Sequence, residues 1–444
     1  MTPILRSNFL HLFCLALLML ALSCHSDDDQ AGAIAALPDL PNNTITQPNI
    51  LLIIADDMGK DATPGFSEGT IKPNTPNIDK VRNEGLSFNN FWVNPTCSPT
   101  RASIITGKYG YRTDVKWAGD ELSSSEKILQ QYISEETNDA YATAIVGKWH
   151  LSGNDATVNP ENFGVDHFTG LIRGSVQDYF QWQLSEDGNS ILNTDYTTEV
   201  FTDLAIDWIN DQSKPWFLWL AHNAPHTPFH VPPTEMHNQG NLPDYVDGMD
   251  GTPYFMAAIE AMDYQIGKLL ESIPEEELDN TVIIFMGDNG TPNQVAQLPY
   301  SSNTAKGTLS QGGINVPLFI SGAGVSRTGE DNNLVCNTDL FATIAQLAGS
   351  QVSEINDSKS FVDLLSSDVG HRSFQYTEMK SEMLDAWAIT NGRYKLIVDS
   401  NGEQEYYDLE VDPYEANDLL SGNLTEEEGS AKEALEAELS NIRN

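Results

Sequence analysis

In Asn94-Pro95-Thr96-Cys97-Ser98-Pro99-Thr100-Arg101 a cysteine stands two residues before a proline and four before an arginine. The run behind it, Ala102-Ser103-Ile104-Ile105-Thr106, is apolar and periodic. Pro99 fixes a backbone angle early, so the spacing predicts a helix whose N-terminus lies at or just after Cys97. Unpaired N–H groups at such an end face any anion placed there, and Arg101, one turn on, adds a forked cationic donor. Taken alone, the cysteine also reads as a buried structural residue in a turn. Gly287-Asp288-Asn289-Gly290 offers oxygen ligands between glycines that let backbone approach closely. Asp56-Asp57 reads alone as a turn or a helix cap. Lys148 and His150, two apart on an extended segment, point the same way; alone they read as a surface lysine and a satisfied histidine.

These residues share a setting. Each group follows a short, strongly apolar run: Ile50-Leu51-Leu52-Ile53-Ile54-Ala55 before Asp56, Ala140 to Val146 before Lys148, and Thr281 to Met286 before Asp288. Trp216-Phe217-Leu218-Trp219-Leu220 is a fourth such run and Leu318-Phe319-Ile320 a further one. Uninterrupted apolar runs of this length are what strands buried on both faces require. In an open α/β sheet, ligands collect beyond the carboxyl ends of such strands. His222-Asn223-Ala224-Pro225-His226-Thr227-Pro228 carries two prolines and reads as a loop, where function concentrates. Residues 250–270 read as an amphipathic helix with Asp263 beside a packing face, Thr338-Asp339-Leu340 opens an apolar helix to Leu347, and residues 74–88 read as a helix and a returning strand. After about residue 365 the segments become shorter and alternate, with a hairpin signal at Asn391-Gly392 and a capping box, Thr425 with Glu428, opening a last helix.

The chain has 444 residues, with 23 Lys and Arg against 64 Asp and Glu, a formal charge of −41. That surface repels nucleic acid and anionic membrane, so neither is expected as a general partner. An anionic substrate would need the few cations gathered locally. The four cysteines, Cys14, Cys24, Cys97 and Cys336, offer no disulfide framework. Residues 1–23 carry one positive charge and a short apolar stretch, which reads as an export signal. Ala21-Leu22-Ser23-Cys24 resembles a bacterial lipoprotein box with Cys24 as the lipidated residue, and the acidic triplet Asp27-Asp28-Asp29 resembles the tag of surface-displayed lipoproteins. Residues 24–47 then read as a tether.

The motif Cys97-x-Pro99-x-Arg101-Ala102 resembles the signature of the type I sulfatases of the alkaline phosphatase superfamily, whose cysteine is oxidised to formylglycine (3-oxoalanine) by a maturation enzyme. Five motifs occur in the order of that family: Asp56-Asp57, the Cys97 segment, Gly147-Lys148-Trp149-His150, Pro225-His226-Thr227-Pro228, and Asp288-Asn289-Gly290. Gly287 stands where the family has Ser, and Gln311 and Asn315 stand where it has Glu and Arg, a departure that bears on local packing. The resemblance covers residues 48 to about 420. It implies a large mixed, mostly parallel sheet flanked by helices in a catalytic domain over 48–365, and a smaller antiparallel sheet with a helix over 366–444.

For the site, the resemblance implies that Asp56, Asp57, Asp288 and Asn289, with residue 97, bind Ca²⁺ (or Mg²⁺) and that the hydrated aldehyde at 97 is the nucleophile. It further implies Asp288 as the base, Arg101 and Lys148 stabilising the hydrate, and Lys148, Lys306 and His226 on the sulfate. Lys306 with His226 would also protonate the leaving oxygen, and His150 would collect the second hydroxyl proton. The function implied is sulfate ester hydrolysis. The leader places it after export, lipid-anchored at the outer membrane or cell surface or else in the periplasm, which suggests a sulfated polysaccharide or oligosaccharide as substrate. Trp117, Tyr179, Trp182 and Tyr300 are candidates for stacking on sugar or for ordinary packing. The same residues suit a phosphonate monoester or phosphodiester hydrolase of the superfamily, or a surface glycan-binding lipoprotein on a dead sulfatase fold.

Overall fold

The computed structural model describes residues 47–153, 158–186, 188–380 and 384–444. The export signal, Cys24 and nearly all of the 24–47 tether lie outside the described residues. A ten-stranded sheet runs in the spatial order Gly329–Asp331, Leu86–Phe88, Leu318–Gly322, Thr281–Gly287, Asn49–Ala55, Trp216–Ala221, Ala142–Lys148, Phe168–Leu171, Trp182–Glu186, Asn189–Asn193. The five strands from Thr281–Gly287 to Phe168–Leu171 are mutually parallel.

The central strand explains its own sequence. Ile50, Leu52 and Ile54 face one apolar core with Ile104, Ile105, Leu340 and Phe341, while Leu51, Ile53 and Ala55 face another with Met256, Ile259 and Phe201. Helices Cys97–Thr106, Leu129–Thr137 and Asp339–Leu347 cover the first face. Pro76–Glu84, Thr197–Asn210 and Thr252–Ser272 cover the second. A strand covered on both sides has no polar face, hence the unbroken apolar run.

Asp263, read as an accessory of a packing face, has a specific task. Its carboxylate accepts from the backbone N–H groups of Asn77 (3.0 Å) and Ile78 (2.7 Å), so one helix caps the N-terminus of another. A second antiparallel sheet joins Gln375–Lys380, Asp385–Thr390, Tyr394–Asp399 and Gln404–Asp408. The capping box forms as expected, Glu428 N–H donating to Thr425 Oγ1 at 3.3 Å and Thr425 N–H to Glu428 at 2.6 Å. Among the described residues no helix is long and apolar enough to cross a membrane.

Asp339, at the start of its helix, is fully buried and accepts from Arg372 Nε (2.8 Å), His371 Nε2 (3.2 Å) and the N–H groups of Cys336 (3.0 Å) and Lys359 (2.9 Å). Burial works to raise its pKa, but Arg372 and then His371 outweigh it and hold the carboxyl at about 2, against 3.8 unperturbed. The folded value is the lower one. This share of stability is therefore complete above the unfolded pKa and is lost as pH falls toward about 2. Asp339→Ala leaves Arg372 unpaired and mostly buried, and is expected to cost about 3–5 kcal/mol in denaturant melts. A loss below about 1 kcal/mol would contradict this account of the network.

Candidate active site

Register places the chemistry. Ala55 pairs with Gly287, Ile54 with Ala221 and Gly147 with Ala221. Because these strands are parallel, Asp56-Asp57, Asp288-Asn289, the 222–228 loop and Lys148 all emerge at one edge and one level. The helix Cys97–Thr106 begins at that edge, as its spacing predicts, with Cys97 buried and Arg101 fully so. Two non-glycine residues there take left-handed backbone, Asp57 (φ 73°) and His150 (φ 59°). Such conformations cost about 1 kcal/mol or more and persist where surrounding contacts over-determine them.

All ten predicted site residues come together. Arg101 donates from Nε (3.1 Å) and Nη2 (2.8 Å) to Asp288 Oδ2, and from Nη1 to the Lys148 carbonyl (2.7 Å). Lys148 Nζ pairs with Asp56 Oδ2 at 2.5 Å, and Lys306 pairs with Asp57. His226 Nε2 stands 3.7 Å from Asp57, its Nδ1 being 2.7 Å from the Thr227 carbonyl. Cys97 Sγ lies 3.2 Å from His150 Nδ1. Asp57 N–H donates to Asp288 Oδ1 at 3.0 Å, and Asn289 Nδ2 to Asp57 Oδ1 at 2.7 Å.

Electrostatics divide the group. Asp57 is held well below the usual carboxylate range: burial opposes this, but Lys306, His226 and Lys148 prevail. Burial, then the neighbouring Asp56, push Asp288 up to about 6 although Arg101 pulls the other way. Burial and then the cations Lys148 and Arg101 drive His150 far down, so its imidazole is neutral. Burial also raises the Cys97 thiol, so it is not an ionised nucleophile in this form.

The residues fit a divalent cation. Asp56 Oδ1 and Asn289 Oδ1 are buried acceptors with no donor. Ligand atoms of Asp56, Cys97 and Asp288 lie within 4.8 Å of one another, as do those of Asp56, Asp57 and His226. Carboxylate and amide oxygens suit Ca²⁺ or Mg²⁺. Three carboxylates already face three cations, so a divalent ion would leave the site two charges positive, complementary to an anionic ester.

A cleft of about 870 Å³ opens over Cys97, His150, His226 and Lys306 and is walled by Leu171, residues 173–178 and 181–183, and Leu192. Tyr179 is buried, its ring stacked on His230 at 3.7 Å, and Tyr300 lines a different hollow beside Tyr414, so neither meets sugar in this cleft. Trp182 lines the cleft but is 3% exposed, with its indole N–H held by the Asp195 carbonyl. Trp117 is partly buried beside Gly307. His222 is fully buried, outside the cleft wall.

Gly287 has a steric reason, since a Cβ there would stand 2.2 Å from the Met58 carbonyl. Asn315 Nδ2 donates to Gln311 Oε1 at 2.9 Å, so the two departures from Glu and Arg face one another as neutral amides. Two contributors had no readable signal. Ser98 Oγ donates to the His150 carbonyl (2.9 Å) and accepts from Gly119 N–H (3.0 Å). Gly174 lies against the His150 ring, where a Cβ would come within 2.1 Å of Nε2.

Comparison with known proteins agrees with this geometry. Residues 48–350 match the family model "Sulfatase", and residues 305–444 match "N-sulphoglucosamine sulphohydrolase, C-terminal". The chain belongs to the sulfatase family. It is 30% identical to human N-acetylgalactosamine-6-sulfatase over 68% of this chain and 62% of that protein, and 27% identical to mouse arylsulfatase J over 77% and 60%. It thus spans about three fifths of the length of these two relatives. Klebsiella aerogenes arylsulfatase is 26% identical over 68% of this chain and 87% of its own. Among solved structures, Ps i-CgsB in complex with k-i-k-neocarrahexaose superposes with a TM-score of 0.73 at 25% identity, covering 85% of this chain and 89% of that one. A protein in complex with its substrate D-glucosamine-2-N,6-O-disulfate gives 0.76 at 20% identity over 90% and 98%, a likeness of fold.

Proposed function

We propose that the protein hydrolyses sulfate esters of sulfated polysaccharides or oligosaccharides, with Cys97 matured to formylglycine and Ca²⁺ held by Asp56, Asp57, Asp288 and Asn289. The observation that carries this is the buried cluster of paired charges around residue 97, in which Asp56 Oδ1 and Asn289 Oδ1 have no donor. The ligands in the complexes of two structural neighbours, k-i-k-neocarrahexaose and D-glucosamine-2-N,6-O-disulfate, support the substrate class. The hydrated aldehyde supplies two hydroxyls where a thiol or serine supplies one reactive atom. The bound cation supplies Lewis-acid withdrawal of charge from the sulfuryl oxygens.

The remaining roles follow from the side chains. Asp288, a carboxylate with an oxygen within 4.8 Å of the residue 97 side-chain atom, takes the proton of the attacking hydroxyl. Arg101 and Lys148, rigidly paired, hold positive charge against the developing oxyanion. Lys306 and His226 face the cleft to clamp sulfate and to protonate the departing oxygen. His226 can donate only when protonated at Nε2, a state that burial disfavours and Asp57 and an arriving anion favour. Neutral His150, 3.2 Å from residue 97, takes the proton whose loss expels sulfate and restores the aldehyde.

The competing assignment is phosphonate monoester or phosphodiester hydrolysis by the same device. Matched aryl sulfate, phosphonate monoester and phosphodiester substrates separate them: kcat/KM is expected to favour the sulfate by about 10²-fold or more, and a phosphodiester preference would reverse the assignment. Export and attachment to the outer membrane through Cys24 are proposed from the leader sequence. Palmitate labelling that persists in Cys24→Ala would contradict that attachment.

A further inference from the structure

The cations of the reaction centre are all committed: Arg101 to Asp288, Lys148 to Asp56, Lys306 to Asp57. Arg173 is different. It lines the same cleft, is exposed, and among the described residues is paired with no carboxylate. The backbone around it is fixed against the centre. Trp149 N–H donates to Leu171 O (2.9 Å), His150 N–H donates to Ile172 O (3.1 Å), and Gly174 lies against the His150 ring. Its charged neighbour in the wall, Asp178, spends an oxygen on capping Phe180 N–H at 2.7 Å. Gln177, Gln181 and Gln183 complete the same wall with neutral amides.

A protein of net charge −41 repels a polyanion everywhere except where cations are gathered. A guanidinium left unpaired at the rim of an anion-processing cleft matches, by its forked donors, a planar or tetrahedral oxyanion. We propose that Arg173 is a specificity residue that binds a second anionic group, a sulfate or a carboxylate, on the saccharide whose ester is cleaved. The substrate class is then a saccharide bearing at least two anionic groups close together. This rests on the sulfate-ester reading above and extends it.

The test measures binding to the Cys97→Ala protein, which cannot turn substrate over. The probes are galactan-type and glycosaminoglycan-type disaccharides in three forms: monosulfated, disulfated, and monosulfated with a uronate. A second anion is expected to tighten Kd by about tenfold or more in at least one series. Arg173→Gln should shrink that advantage to about twofold, with Arg173→Lys in between. The disulfated and uronate arms tell sulfate from carboxylate. No advantage in either series, or one that survives in Arg173→Gln, overturns the proposal. Turnover by matured wild-type enzyme is scored separately. An Arg173-dependent advantage without hydrolysis of any ester removes the sulfatase reading and keeps the subsite. Hydrolysis without the advantage does the reverse.

Discussion

Cys97→Ala is expected to give a folded protein that releases no measurable sulfate, a loss of about 10⁴–10⁶-fold in kcat. The residue is buried at the start of its helix, and its sulfur lies 3.2 Å from His150 Nδ1. Truncation there removes one atom from a packed site, at a cost of about 1 kcal/mol, too little to unfold the chain. Its effect on chemistry is out of proportion, because no other nucleophile replaces it. Ser98, the adjacent hydroxyl, is engaged by the His150 carbonyl and Gly119 N–H. Cys97→Ser is expected to be as inactive wherever it escapes maturation, since one hydroxyl can accept sulfate but cannot expel it. Sulfate release assayed beside a thermal melt separates the two effects. Activity within tenfold of wild type in Cys97→Ala would refute a nucleophile at that position.

Removal of divalent cations is the second large effect. Three carboxylates crowd one pocket with two oxygens lacking donors, and burial together with Asp56 disfavours the ionised form of Asp288. A bound cation relieves that repulsion and adds the charge that draws an anionic ester in. Dialysis against chelator is therefore expected to lower turnover by about 10³-fold, with recovery on Ca²⁺ addition. Ca²⁺ at a hundred times its Kd should stabilise the fold by about 2.7 kcal/mol, raising Tm by about 3 °C in a chain of this size. Asp56→Asn should abolish the Tm response as well as the activity. A chelated enzyme with full activity, or a Ca²⁺-induced Tm rise that Asp56→Asn leaves intact, would place the ion elsewhere.

The site was legible because its parts are local. An apolar run ending in Asp-Asp, Gly-Lys-Trp-His or Gly-Asp-Asn-Gly names both the strand and the residues at its carboxyl end, and parallel register then brings those ends together. What escaped is non-local. The capping of Pro76–Glu84 by Asp263 and the joining of Asp339 to Arg372 pair residues far apart in sequence, with no pattern to link them. The strands Phe168–Leu171, Trp182–Glu186 and Asn189–Asn193 also escaped, because they are short and none alternates regularly: the first is buried throughout and the last almost wholly exposed. With the segment between the first two they wall the cleft, so the reaction centre was legible and the wall above it was not. The two readings of the aromatic candidates stayed open in the sequence for the same reason, since whether Tyr179, Trp182 and Tyr300 face the cleft depends on packing that composition does not encode.

The most direct test is a peptide mass spectrum across Cys97, on protein produced with a formylglycine-forming maturation system and assayed for sulfate release from the same batch. The expected result is an aldehyde at residue 97 in proportion to the sulfatase activity. An unmodified thiol in protein that still hydrolyses sulfate esters would contradict the mechanism. A thiol without activity, despite competent maturation, would turn the same fold into a glycan-binding protein.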